Sequence, residues 1–122
     1  MIEVACGIMF NKHNKILLGK RPKNKFYGGI WEFPGGQKEK YENIEECLKR
    51  EWLEELNVHI HIEKEVYNYI YDNKYFCRFF IGKIINEENI KMYEHEKIVF
   101  VEKDKITDYK IFDGDEIVLS KF

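Results

Sequence analysis

Glu51, Glu54 and Glu55 stand at i, i+3 and i+4 within the stretch REWLEELNV. At about 100° of rotation per helical residue they project from one face, inside an arc of about 100°. Three carboxylates held this close repel one another. At ~6 Å and an effective dielectric of ~20, each pair costs roughly 3 kcal/mol. A divalent cation converts that repulsion into a binding site, and ligands that are all oxygen select a hard ion such as Mg²⁺ or Mn²⁺. The alternative is an exposed acidic face neutralised by Lys49 or Arg50.

The elements that must position these acids follow from local signals. Residues 43–56 are expected to be helical, with Asn43 as N-cap and Glu46 completing a capping box. Residues 2–10 and 15–20 read as strands about the turn Asn11-Lys12-His13-Asn14. Val58, Ile60 and Ile62 alternate with His59 and His61, as in a half-buried strand. Residues 65–71 and 75–85 form an aromatic hairpin about Asp72-Asn73-Lys74, and 97–101 form a further strand. From about Asp113 to Lys121 a short closing helix is expected, with Asp113 or Asp115 near its start. Strands on either side of one long helix, plus a terminal helix, predict an α/β sandwich with a mixed sheet.

Charge and composition narrow the classes. A length of 122 residues predicts a single domain spanning 1–122. With 44% hydrophobic residues, nine Phe, eight Tyr and two Trp, disorder is excluded. No apolar run approaches the ~18 residues of a membrane-spanning helix. The opening MIEVACGIMF reads as a strand rather than a leader. Cys6, Cys47 and Cys77 are odd in number and lack a CxxC spacing, which predicts reduced thiols and a cytoplasmic setting. A net charge of −2 argues against a stable nucleic-acid complex. That charge is uneven: Asn11 to Lys25 holds six Lys/Arg and no acid, whereas Glu39 to Glu55 holds seven Glu against three basic residues. Such a juxtaposition suits a metal–polyphosphate site. Gly28, Gly29, Pro34, Gly35 and Gly36 mark a single loop between them.

The full pattern is more specific than its acids. Gly36, five residues, Glu42, seven residues and then Arg50-Glu51-Trp52-Leu53-Glu54-Glu55-Leu56-Asn57-Val58 resembles the Nudix box, GX5EX7REUXEEXGU. Upstream, Trp31-Glu32-Phe33-Pro34-Gly35 is similar to the segment that leads into the box in MutT-like members. Asn57 stands where the box has a helix-ending Gly, and Asn is the next best residue in a left-handed conformation. Trp52 replaces an aliphatic residue at a core-facing position.

The resemblance implies a Nudix-type α/β/α sandwich with a mixed β-sheet and a Mg²⁺-dependent (Mn²⁺ as alternative) hydrolase of (d)NTPs. Products would be a nucleoside monophosphate and pyrophosphate, with 8-oxo-dGTP or CTP among the substrates of such enzymes. It implies metal binding by Glu51, Glu54, Glu55, Glu94 and the Gly35 carbonyl, with Glu94 carried by an EHxxxxW-like stretch, Glu94-His95…Phe100. Arg50 would orient the helix carboxylates and Glu42 would brace the loop. Glu51 would be the general base, with Glu94 second. Lys20, Arg21, Glu32 and Phe33 would bind substrate, and an Asn or Asp at the position of Asp115 reaches the base edge in MutT-like enzymes. A simpler role for Asp115 is to cap the last helix. His59 and His61 lack a further ligand and are read as an exposed or packed pair, and the aromatic hairpin is read as cross-strand packing. Other diphosphate substrates remain open, Tyr75 being placed where dinucleoside-polyphosphate hydrolases carry a tyrosine, while the intact acids argue against a non-catalytic sensor. The expected partner is a small nucleotide, and the expected assembly a monomer or homodimer.

Overall fold

The computed structural model describes residues 1–122 and contains seven strands in one mixed sheet, one α-helix and three short 3₁₀ helices. β1 (Ile2–Phe10), β2 (Ile16–Lys20), β3 (Trp31–Glu32) and β4 (Gly35–Gln37) precede α1 (Ile44–Leu56). β5 (Ile60–Tyr71), β6 (Tyr75–Ile84) and β7 (Lys97–Val101) follow. The turn after β1 closes because the Asn11 side chain accepts from the amides of His13 and Lys15, both at 3.0 Å.

One topological feature makes room for the site. β1 and β2 pair only at Phe10 and Ile16 and then diverge. Residues 31–37 enter the opening, β3 pairing with β2 at Glu32–Gly19 and β4 with β1 at Gly36–Ala5. On their far edges β1 runs parallel to β6 and β2 antiparallel to β7. The glycine-rich segment is thereby wedged between two long strands at the centre of the sheet.

Alternating residues divide the core in two. Ala5, Met9, Leu17 and Phe80 pack with Cys47, Leu48, Trp52 and Leu56 of α1. Ile8, Ile16, Leu18 and Phe79 pack with Phe33, Ile106 and Val118 from the loop and the C-terminal 3₁₀ helices. The closing helix is therefore a 3₁₀ helix, Asp115–Ser120, and the second outer layer is thinner than the α1 layer. The strands expected at 58–62 and 65–71 form one strand, β5, with register shifts at Ile62/Lys64 and Glu65/Tyr67 that absorb the break in alternation.

Both ends of α1 follow the sequence signals. Asn43 accepts from the Glu46 amide at 2.8 Å and Glu46 accepts from the Asn43 amide at 2.8 Å. Asn57 adopts φ 61°, ψ 30°, its amide donating to the Leu53 carbonyl, and its side chain also donates to the Asn89 carbonyl at 3.0 Å. Asn57→Gly is expected to stay within about 0.5 kcal/mol of the native stability: it relieves the backbone but loosens the unfolded chain and gives up one exposed hydrogen bond. Asn57→Val should lose roughly 1–2 kcal/mol, because a β-branched residue resists positive φ. Denaturant melts of both variants check the pair, and a Val variant as stable as the native protein contradicts the left-handed cap.

Candidate active site

The box begins inside β4, at Gly36. An added Cβ at Gly36 would lie 2.4 Å from the Glu51 carboxyl carbon, so only glycine lets the helix acids approach this backbone. Arg50 holds the acids from behind. It grips Glu42 through two hydrogen bonds of 2.9 and 2.7 Å, and reaches Glu51 at 2.9 Å and Glu54 at 3.2 Å. Its guanidinium lowers the Glu42 carboxyl to about 2, so Glu42 stays a carboxylate and the brace persists at neutral pH.

A second attachment fixes the late loop. The amides of Lys91 and Tyr93 donate to the Leu56 and Glu55 carbonyls, both at 3.0 Å. These are carbonyls that the end of a helix leaves free. The loop is thus tied to the last turn of α1, and Glu94 and His95 follow directly. Glu94 is exposed, lies 3.8 Å from Lys25, and faces the helix acids across a polar cavity of about 240 Å³. Arg21, Glu32, Gly35, Glu51, Glu54 and Glu55 complete the lining, which contains no hydrophobic residue.

Glu55 is buried, and its carboxyl lies well above the usual carboxylate range. Burial is the largest cause, followed by contact with the Glu51 carboxyl and the charges of Glu32, Glu51 and Glu94. This concentration of oxygen donors, carrying more negative charge than its own arginine neutralises, fits a hard divalent cation. Glu51, Glu54, Glu55, Glu94 and the Gly35 carbonyl are the groups that could hold one.

His95, the second residue of the EHxxxxW-like stretch, is given no role by that pattern. Its side chain is 1% exposed, its Nε2 lies 2.7 Å from Glu32 and 3.7 Å from Glu55, and its Nδ1 is sealed without a partner. Glu32, Glu55 and His95 bring ligand-type atoms within 4.8 Å of one another. The Glu94-His95 pair of that stretch is its trace in the sequence. Glu32 also pairs with Arg21 at 3.2 Å, and Arg21 Nε donates to the Phe26 carbonyl at 2.9 Å. Lys20 instead pairs with Glu96 at 3.4 Å and lines neither cavity described here.

Arg21, Glu32 and Gly35 also border a second cavity of about 440 Å³, so the two are contiguous. Its walls include Phe33, Tyr69, Cys77 and Asp115, and its mouth carries Phe26, Tyr27, Tyr71 and Phe112. Tyr27 and Tyr71 share a hydrogen bond of 2.8 Å between their hydroxyls, and Tyr27 meets Phe112 edge-on at 5.0 Å. The hairpin aromatics do pack, Tyr67 and Tyr69 stacking near Phe79, yet Tyr69, Tyr71 and Tyr75 face this cavity as well. Asp115 does not cap the last helix, whose start has no side-chain cap. It is buried, and Oδ1 accepts from the Tyr69 hydroxyl at 2.8 Å. His59 and His61 are exposed.

A family model described as "NUDIX domain" matches residues 2–121. The chain is 39% identical over 59 residues to an 8-oxo-dGTP diphosphatase of Proteus vulgaris, a match covering 48% of this chain and only about half (53%) of that protein. It is 30% identical over 131 aligned positions to a CTP pyrophosphohydrolase of Escherichia coli (strain K12), covering 100% of this chain and 91% of that protein. Among solved structures, the E. coli ORF135 protein matches with a TM-score of 0.81 and 27% identity, covering 100% of this chain and 88% of the other. A MutT protein from Methanosarcina mazei shares the fold at a TM-score of 0.83 and 22% identity, over 98% of this chain and 90% of its own. No helix here is long and apolar enough to cross a membrane.

Proposed function

This chain is a hydrolase of the Nudix family, and from that premise we propose that it is a Mg²⁺-dependent nucleoside triphosphate pyrophosphohydrolase, converting a (d)NTP and water to a (d)NMP and pyrophosphate. One observation carries the reading: an all-polar acidic cavity adjoins an aromatic one large enough for a base, with Arg21, Glu32 and Gly35 lining both. A triphosphate would lie along the first and its base would enter the second. The similarity to a CTP pyrophosphohydrolase and to 8-oxo-dGTP diphosphatases supports this substrate class.

In this reading Glu51, Glu54, Glu55, Glu94 and the Gly35 carbonyl hold Mg²⁺, with Mn²⁺ as substitute. The bound cation supplies charge compensation for the phosphate oxygens. Arg50 and Glu42 keep the carboxylates in place. Glu51 accepts the proton of the attacking water, with Glu94 as the second candidate. Arg21, aimed by Glu32 and the Phe26 carbonyl, meets the phosphates, while Phe33 and Asp115 contact the base. The free thiols of Cys6, Cys47 and Cys77 support a reducing, cytoplasmic setting.

A screen of the purified protein with Mg²⁺ tests the assignment, using canonical and oxidised (d)NTPs, dinucleoside polyphosphates and ADP-ribose. Pyrophosphate and a monophosphate from a (d)NTP are expected. Orthophosphate as the first product, or turnover confined to a dinucleoside polyphosphate or ADP-ribose, contradicts it.

A further inference from the structure

The base cavity contains a side-chain pair that its acid alone does not explain. Asp115 is 6% exposed and its Oδ1 accepts the Tyr69 hydroxyl proton at 2.8 Å. Oδ2 accepts no hydrogen bond, yet it is not sealed: the one sealed side-chain polar atom without a partner is Nδ1 of His95. Oδ2 is therefore the atom this carboxyl presents to the cavity. The arrangement is clamped from both sides. Gly114 holds φ 95°, and an added Cβ there would lie 3.1 Å from the Tyr69 ring, so the turn closes against that ring without a side chain between. Tyr69 itself is stacked at 13° on Phe79, with ring centroids 5.9 Å apart.

We propose that Tyr69 is a positioning residue for base selection: by occupying Oδ1 of Asp115 it confines both the charge and any proton of that carboxyl to Oδ2, the atom a base would meet. When Asp115 is ionised, Oδ2 can only accept, and selects a base edge that carries an exocyclic amino group, such as that of cytosine or guanine, over thymine, which has none. When Asp115 is neutral, the Tyr69 hydroxyl keeps donating to Oδ1 at 2.8 Å in preference to the Asp113 carbonyl at 3.3 Å, so the acid proton resides on Oδ2 and is offered to a carbonyl edge such as that of thymine. The surroundings put both states within reach near neutral pH. Burial raises the Asp115 carboxyl, the Tyr69 hydrogen bond opposes that rise, Glu32 and Glu116 add to it, and the outcome is about 7. The same cavity also carries the thiols of Cys6 on β1 and Cys77 on β6, both held protonated by burial, together with Arg21, Lys74, Asp72 and the phenols of Tyr71 and Tyr75.

The proposal rests on the (d)NTP reading above, and its test separates the two. The ratio of kcat/KM for dCTP over dTTP is measured from pH 6 to 8.5. The ratio cancels titration of the phosphates and of the metal-site acids, which both substrates share. It is expected to rise about tenfold as Asp115 ionises. Tyr69→Phe removes the one contact that favours the charged carboxyl, so the midpoint of that rise should move to higher pH. Asp115→Asn has no proton to lose there, and its ratio should be flat. A flat ratio in the native protein, an unmoved midpoint in Tyr69→Phe, or a pH-dependent ratio in Asp115→Asn overturns the proposal while leaving the hydrolase reading intact. Failure to cleave any nucleoside triphosphate overturns both.

Discussion

Replacing Glu55 or Glu51 by Gln is expected to lower kcat about a thousandfold or more, roughly 4 kcal/mol of transition-state stabilisation, with the fold unchanged. Both carboxyls line the polar cavity, and each amide keeps the shape of the side chain while removing the charge. Stability should respond in the opposite sense. In the metal-free protein Glu55 keeps its proton far above the pH at which it ionises in the unfolded chain. The native state then binds more protons than the unfolded state, so this residue's contribution to stability falls as pH rises above ~4.3. Gln carries no such penalty. In the presence of a chelator, Glu55→Gln should therefore melt above the native protein at pH 8 and level with it near pH 4. Turnover with Mg²⁺ and paired melting curves at the two pH values check both halves. A variant with near-native turnover rejects the metal-site assignment.

Trp52→Ala should be the most destabilising single core change, at roughly 3–5 kcal/mol, a large share of the ~5–15 kcal/mol typical of a domain. Trp52 is fully buried, and its indole N–H donates to the Pro34 carbonyl at 2.8 Å. It thus fastens the wedge of residues 31–37 to the helix that bears the acids. Room for the indole comes from Gly7, where an added Cβ would lie 2.5 Å from the indole nitrogen. Gly7→Ala alone should accordingly be costly, whereas Gly7→Ala combined with Trp52→Leu should cost less than the two singles added together. Chemical denaturation of the four proteins measures the coupling. Additive costs would mean that the two residues do not share a packing site. Trp52→Phe, which fills most of the space but loses the donor, separates the packing contribution from the hydrogen bond.

These two predictions also mark where local signals sufficed. The capping box at Asn43 and Glu46, the left-handed Asn57 and the turn at Asp72 and Asn73, with φ 54° and 51°, involve neighbours in sequence, so residue types alone specify them. The box acids were legible for the same reason, since helical spacing puts them on one face. β3 and β4 were not legible. At two and three residues they have no periodicity of their own, and their pairing depends on strands that diverge elsewhere. Asp115 resembled a helix cap because an acid beside a helix start usually is one. Its actual partner, Tyr69, lies 46 residues away. Lys20 sits beside Arg21 in sequence, but alternation along a strand turns the two apart, and only Arg21 reaches the cavities. His95 is visible in the EHxxxxW-like stretch, but its burial is non-local: it follows from Gly19 and Glu32, and neither signals it.

The parallel pairing of β1 with β6 also bears on how the molecule reaches this state. Ile2 pairs with Tyr75 and Phe10 with Lys83, so every rung of that ladder closes a loop of 73 residues. The wedge, the Nudix box and α1 all lie inside that loop. Closing it costs chain entropy before its contacts repay it, which makes folding slow relative to a helical bundle of this size. On a ribosome, β1 must wait for most of the chain before its central partner exists. Meanwhile the β5–β6 hairpin, closed by its own tight turn, can form early and serve as the template on which the N-terminal strand docks. The aromatic cavity, walled by β1, β5, β6 and the C-terminal 3₁₀ helix, is then assembled in the final stage of folding, after residue 115 has been made.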